Sequence, residues 1–511
     1  MDRTIPTVVR ENARRSPDST ATISQGRTST WGELDVASNR VANGLRNLGL
    51  EQGARVAFLG KNSDRWFEIL FGTGKAGAVL VSVNWRLAAP ELQFLLEDSE
   101  SQILFVDGEF APTVESIRAQ LPLLLQIVVI DSELDDDGYV QWAAGLDTTD
   151  PELDSSPGDD AIQLYTSGTT GRPKGALVPH TYLFENFRLM ATIKSEYWKW
   201  DSTESAVVTA PLFHIGGINW AFIGAIQGCP LVIMREFDPV VLLSLVSEYP
   251  VPALPLVTPM LQIFLNTPGV EEADFSSVRY VVYGASPIPP GLLRKALDVM
   301  GCGFVQMYGA TESTIVTVLD ADEHQLPPVP RMLSVGRPMD GVELVVLDPD
   351  GNELPTGEIG ELAIKSPVLT TGYWHMPEAT SEAFRGGWFH TGDAGYVDEA
   401  GYVFLKDRVK DTIISGGENV YPAEVENVLY DHPSVKEVAV VGVPDERWGE
   451  VPKAFIVLAP GSEIDEEELR AFAAEHLAKF KVPRHFSAVA ALPRNASGKV
   501  LRRELRVPAD V

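Results

Sequence analysis

The stretch AIQLYTSGTTGRPKG, Ala161 to Gly175, joins an apolar strand to a loop of small and hydroxyl-bearing residues ending in a lysine. Glycines let a backbone approach phosphate closely, hydroxyls and amides donate hydrogen bonds, and Lys174 adds charge. A triphosphate is the ligand that uses all of these together. The loop is not a Walker P-loop, which needs Gly-Lys-Ser/Thr opening a helix, because Arg172 and Pro173 stand between Gly171 and Lys174, and Gly175 follows. The ordinary NTPase reading therefore fails, and the strand before the loop points to an α/β framework.

Outward from this loop, apolar runs alternate with helical patterns: ARVAFLG (Ala54 to Gly60), SQILFVD (Ser101 to Asp107) and LQIVVID (Leu125 to Asp131). Strands that are apolar throughout suit parallel sheets covered on both faces, so the large N-terminal region reads as parallel-sheet α/β subdomains. Val207 to Met234 contains no Asp, Glu, Lys or Arg. Its prolines, Asn219, Gln227 and His214 favour a buried strand, loop, helix and strand over a membrane span. From about 335 to 405, short strands and a Pro-Asp-Gly turn predict a small β-barrel-like subdomain. An α+β block follows, giving an N-terminal domain over 1–409 and a C-terminal domain over 410–511. Its best helix is predicted from about Glu466 to Phe480, with Asp465 and Glu468 resembling a capping box.

The 511 residues exceed what one core usually organises, and 45% hydrophobic with 22% charged residues is ordinary globular composition. A formal net charge of -30 argues against nucleic-acid binding, which needs clustered Lys and Arg. Any anionic substrate must be met locally. The two cysteines, Cys229 and Cys302, provide neither a disulfide framework nor a four-ligand metal site and read as buried thiols. The first residues, MDRTIPTVVRENARR, lack the apolar core of a signal peptide, so no transmembrane segment and a cytoplasmic location are expected.

Further segments follow the loop in a fixed order: VVYGASP, QMYGATES, HTGDAGYVD, KDRVKD, SGGENVYPAEVE and LPRNASGKVLRREL. With YTSGTTGRPKG, they resemble the signatures of the adenylate-forming superfamily, which includes acyl-CoA synthetases, peptide-synthetase adenylation domains and firefly luciferases. The resemblance spans nearly the whole chain and is strongest toward fatty-acid–CoA ligases. It implies that Thr166, Ser167, Gly168, Thr169, Thr170, Gly171 and Lys174 hold ATP phosphates. Gly284, Ala285 and Ser286 would contact adenine and Tyr308 would line its site, with Gly309 and Thr311 binding ATP or AMP in the same segment. Glu312 would help hold Mg2+, for which a carboxylate is a suitable hard ligand. Asp393 and Arg408 would meet the ribose. Gly416, Gly417 and Glu418 would border the pantetheine arm of coenzyme A, Lys410 would be the hinge of the C-terminal domain, and Lys499 would stabilise the transition state at the α-phosphate. Thr166, Glu312, His214 and Lys499 are thus the expected catalytic set.

His214, in PLFHIGG, resembles the residue that closes the acyl pocket. Ile215, Gly216, Gly217 and Ile218 beside it suggest an apolar, roomy site without an acid for a substrate ammonium group. A medium- or long-chain fatty acid fits best, with aryl or cinnamic-type acids next. Free coenzyme A is the expected acceptor; a carrier-protein thiol or an amine is the alternative, and a homodimer stays open. A luciferase-like oxidase would share the same first half-reaction. A non-catalytic nucleotide binder would have lost Lys499, Glu312 or the phosphate loop, and all three are present.

Overall fold

The computed structural model describes residues 3–130, 138–153, 155–166, 172–284, 288–324, 329–416, 418–445, 447–494 and 500–506. The chain forms two compact units, one of Met1–Glu343 with Ile364–Phe389 and one of Leu344–Ala363 with His390–Val511. Among the described residues, the short-stranded segment near 344–363 thus clusters with the C-terminal block.

The first unit is built around a seven-stranded sheet, in the order Gly372–Tyr373, Lys174–Pro179, Asp160–Thr166, Val79–Val83, Arg55–Leu59, Ser101–Asp107 and Gln126–Ile130. The last five strands are parallel, and Arg55–Leu59 and Val79–Val83 are buried at every position. Continuous burial is what a central parallel strand with both faces covered demands. Ala57, Leu59, Val81, Leu104 and Val106 pack on Leu92, Leu95 and Leu96 from the helix Ala89–Asp98.

A five-stranded sheet carries the candidate nucleotide residues Gly284, Tyr308 and Gly309. Ala253–Pro255, Tyr280–Gly284 and Gly303–Ala310 run parallel, then Thr314–Leu319 and Arg337–Pro338 turn antiparallel. The uncharged stretch forms the strand Ala206–Val208, the helix Ile215–Gln227 and the strand Leu231–Ile233, both strands lying in a third, four-stranded sheet with Thr20–Ser24. Gly228 ends the helix at φ 77°, a conformation glycine adopts without strain. No helix among the described residues is long and apolar enough to cross a membrane.

In place of the expected barrel-like subdomain, the second unit contains an open sheet in the order Glu343–Leu347, Gly360–Lys365, Phe389–Val397 and Val403–Arg408. Among the described residues the first and last of these four strands do not pair, so the sheet does not meet the closure a barrel requires. A five-stranded sheet follows, in which Val435–Asp445 and Gly449–Leu458 form a long antiparallel pair and His485–Ala488 joins in parallel. The predicted helix runs over Glu466–His476, shorter than its apolar pattern suggested. The Asp465 side chain accepts from the amides of Glu467 and Glu468 at its start. Leu477 is extended, so only Leu469 and Ala473 of the predicted face are buried and Phe480 is exposed.

Candidate active site

In the first unit, the strand Asp160–Thr166 delivers Thr166 opposite Lys174 of the antiparallel strand Lys174–Pro179. The phosphate loop proper, Ser167 to Gly171, lies outside the described residues, as do Ala285, Ser286, Gly417 and Lys499. The loop's two ends are therefore held by a sheet ladder. The Lys174 ammonium stands 4.8 Å from the Tyr373 ring centroid, a cation–π contact. The Tyr373 hydroxyl in turn donates to Glu312 at 2.7 Å.

Glu312 sits in the turn between the strands Gly303–Ala310 and Thr314–Leu319 and is buried. Thr370 N–H donates to its carbonyl, and the Tyr182 hydroxyl donates to the carbonyl of Thr311, both at 2.8 Å. Burial, with the Glu312 charge nearby, pushes the Tyr373 phenol well above its ordinary value, so it remains a donor. Tyr308 occupies the end of the strand that pairs with Thr314–Leu319, just before a register shift at Gly309. A Cβ on Gly309 would overlap the Thr314 carbonyl, and one on Gly284 would meet the Met307 carbonyl at 2.5 Å. These glycines bring the end of the strand Tyr280–Gly284 beside the Tyr308 segment.

His214 caps the helix Ile215–Gln227 through its carbonyl, which accepts from Gly217 and Ile218. Its side chain is exposed, with the ring centroid 4.5 Å from that of Phe213. Gly216 has open space where a side chain would project, whereas Gly217 packs against the Pro211 carbonyl. Ile218 is buried and Ile215 half-buried, so the exposed end of this apolar helix is formed by His214, Ile215 and Gly216.

In the second unit, Asp393 and Arg408 are cross-strand partners, with Nε to Oδ1 at 2.9 Å. The Arg408 guanidinium also donates to the Thr391 carbonyl at 3.0 Å. Lys410 lies in the short turn Val409–Asp411, where burial lowers its ammonium pKa even beside Asp411. Gly416 adopts φ 63°, its amide donates to the Trp448 carbonyl, and a Cβ there would strike the Trp448 ring at 2.6 Å. Glu418 is exposed.

Residues that sequence reasoning missed include Tyr373, Tyr182 and Trp374. Trp374 N–H donates to the Gly175 carbonyl at 2.8 Å, and its indole donates to that of Asp98 at 2.9 Å. The Arg55 guanidinium lies 3.4 Å from the Trp374 ring centroid. The dipeptide Tyr373-Trp374 was visible in the sequence, but nothing local marked it as the strand that buttresses Lys174 and Glu312. The cysteines take no part: Cys229 is buried and Cys302 half-buried, and burial pushes both thiols up to about 12.

Comparison with known proteins accounts for this arrangement. The AMP-binding enzyme family matches residues 9–374, and the C-terminal domain of AMP-binding enzymes matches 424–499. The chain belongs to the AMP-binding enzyme family. It is an adenylate-forming ligase of the acid–thiol class. Relatives include the fatty acid–[acyl-carrier-protein] ligase ScoC of Streptomyces coeruleorubidus, 43% identical over 97% of this chain and 94% of that protein. Feruloyl-CoA synthase of Amycolatopsis sp is 40% identical over 97% and 96%. The ATP-bound crystal structure of MatB from Rhodopseudomonas palustris superposes with a TM-score of 0.87 at 31% identity, covering 99% of this chain and 98% of that one.

A single carboxylate such as Glu312 would fit a magnesium ion bound together with nucleotide. Magnesium is commonly bound through one or two carboxylates with substrate phosphates and water completing its shell. Glu312 presents hard oxygen, one atom of which is oriented by Tyr373. Among the described residues no group of three or more His, Cys, Asp or Glu forms an all-protein cage.

Proposed function

We propose that this ligase joins a medium- or long-chain fatty acid to coenzyme A through an acyl-adenylate. The carboxylate oxygen attacks the α-phosphate of ATP, the α–β phosphoanhydride bond breaks and pyrophosphate leaves; a thiolate then attacks the acyl carbonyl and AMP departs. The Lys174–Tyr373–Glu312 chain supports this reading, because it links a cation at one end of the loop, through Tyr373, to a buried carboxylate. Such catalysis is chiefly positioning and charge stabilisation, which needs no protein nucleophile.

In this reading Thr166, Lys174 and the loop from Ser167 to Gly171 hold the leaving pyrophosphate, and Gly284, Ala285, Ser286, Tyr308, Gly309 and Thr311 hold the adenine. Asp393 and Arg408 meet the ribose. Glu312 would hold magnesium, whose charge would offset that of the phosphates. Lys499 neutralises charge developing at the α-phosphate. Gly416, Gly417 and Glu418 border the thiol-bearing arm, and residues 410–511 act as the mobile domain, with Lys410 as its hinge. His214, Ile215, Gly216, Gly217 and Ile218 form the acid pocket, and the exposed, uncharged end of their helix supports an apolar acid. Kinship with ScoC supports a fatty acid and keeps a carrier-protein thiol as the alternative acceptor. Kinship with feruloyl-CoA synthase supports a second reading, in which a cinnamic-type acid is activated.

A panel of C8 to C18 fatty acids, ferulate and 4-coumarate, assayed for magnesium-dependent AMP formation with and without coenzyme A, tests the reading. The expected result is AMP formation with the fatty acids, stimulated several-fold by coenzyme A. Turnover of ferulate alone would transfer the assignment to aryl acids, and absence of AMP with every acid would remove it.

A further inference from the structure

Thr314 stands two residues beyond Glu312 and opens the strand Thr314–Leu319 with a backbone φ of 53°. A β-branched residue in the left-handed region is a genuine outlier, and such residues persist where surrounding contacts over-determine them. Here the contacts are specific. The Thr314 side chain is buried, and its hydroxyl accepts from Asn219 Nδ2 at 2.9 Å and donates to Asn186 Oδ1 at 3.0 Å. Asn186 lies on the helix His180–Met190 and Asn219 on the helix Ile215–Gln227. Ile215 and Gly216, assigned above to the acid, are one helical turn before Asn219 and so share its side of the helix.

The Thr314 hydroxyl thus joins the acid-binding helix to the turn that presents Glu312. The same residue shapes that turn through its backbone, since its carbonyl fills the space left by the missing Cβ of Gly309. Asn219 contributes a second observation: its Oδ1 is buried and has no hydrogen-bond partner among the described residues. An unpaired buried acceptor is costly and calls for an explanation. The bond from Nδ2 to Thr314 is the interaction that holds this amide in place.

We propose that Thr314 is a positioning residue whose hydroxyl, held between Asn186 and Asn219, couples the acid-binding helix to Glu312 and so sets that carboxylate for magnesium–ATP. Thr314 acts through the roles proposed above for Glu312 and the Ile215 helix, and supplies the link between them.

Thr314→Val keeps the shape of the side chain but removes the hydroxyl, Asn219→Leu breaks the same bond from the helix, and Thr314→Ser retains it. Binding of α,β-methylene-ATP to the full chain is measured by calorimetry across a magnesium titration, with thermal melts confirming a folded protein. Thr314→Val and Asn219→Leu are each expected to raise the half-saturating magnesium concentration about tenfold, the scale of one buried hydrogen bond. Thr314→Ser should stay within about twofold of wild type. A shift in a metal requirement caused by a residue on the acid helix is an effect that general loss of packing would not give. If Thr314→Val does not fold, Asn219→Leu carries the same test. A wild-type magnesium requirement in the folded variants, or equal loss in Thr314→Ser, would overturn the coupling. Wild-type protein that binds no nucleotide at any magnesium concentration would instead sink the ATP assignment itself.

Discussion

At Gly309 one methyl group decides whether the turn before Glu312 can form. An added Cβ would overlap the backbone carbonyl of Thr314, and backbone cannot swing aside as a flexible side chain does. Gly309→Ala should cost at least ~2 kcal/mol of unfolding free energy, read by chemical denaturation, and weaken nucleotide binding. Gly216, where a Cβ meets nothing, makes the comparison: Gly216→Ala should be neutral or slightly stabilising. Equal destabilisation by the two would mean that the register shift after Tyr308 does not depend on Gly309. The motif YGATE was legible as a string of residues, and so was the candidate role of Glu312. The partners that orient it were not, because Tyr373 lies 61 residues away and reaches the carboxylate only through the sheet edge at Gly372–Tyr373.

Among elements, the last helix, Arg502–Arg506, depends on an anchor outside itself. Five residues are too few to be stable alone. The Arg502 guanidinium donates to both carboxylate oxygens of Glu426 at 2.8 Å, and Glu426 also accepts from Val440 N–H at 2.7 Å. Burial pushes the Glu426 carboxyl up; burial pulls the Arg502 guanidinium down, but the charge and hydrogen bonds of Glu426 together with the charges of Asp407 and Asp411 push it up overall, and the paired short bonds support an ionised pair. Arg502→Met should therefore cost about 2–3 kcal/mol, since it leaves a buried carboxylate without its partner. A melting temperature lowered by roughly 5 °C or more, with adenylation falling as the helix Arg502–Arg506 loses its tether, is the expected outcome. Retained melting and activity would show that the pair anchors nothing. Central strands and the uncharged Val207 to Met234 stretch were readable from apolar pattern alone. The end of the helix Glu466–His476 was not: the apolar spacing continues to Phe480, and the chain turns extended at Leu477 all the same.

For the molecule as a whole, two buried groups of opposite sense contribute to the pH dependence of stability in mild acid. His180 accepts from the Ile5 amide through Nδ1, and burial lowers it to about 4. Its folded pKa is depressed, so its contribution is present above pH ~6.5 and lost as pH falls toward 4, about 3 kcal/mol in full. Asp107 is raised to about 6 by burial against the pull of Arg235 and Lys61, so its contribution is present below pH ~4 and lost as pH rises through 6. The two nearly cancel between pH 4 and 6. Denaturation of His180→Asn should show stability falling with pH across that window, and Asp107→Asn the reverse; parallel slopes would refute the pairing. By itself the sequence determined the α/β class, the adenylate-forming family and the order of its motifs, because apolar periodicity and loop chemistry are local properties. Only the tertiary structure decided that the β-rich segment is an open sheet, that Tyr373 orients Glu312, and that Thr314 links two helices to the turn that bears Glu312. Those outcomes rest on contacts between residues far apart in the chain, where geometry is fixed by packing that no local pattern records.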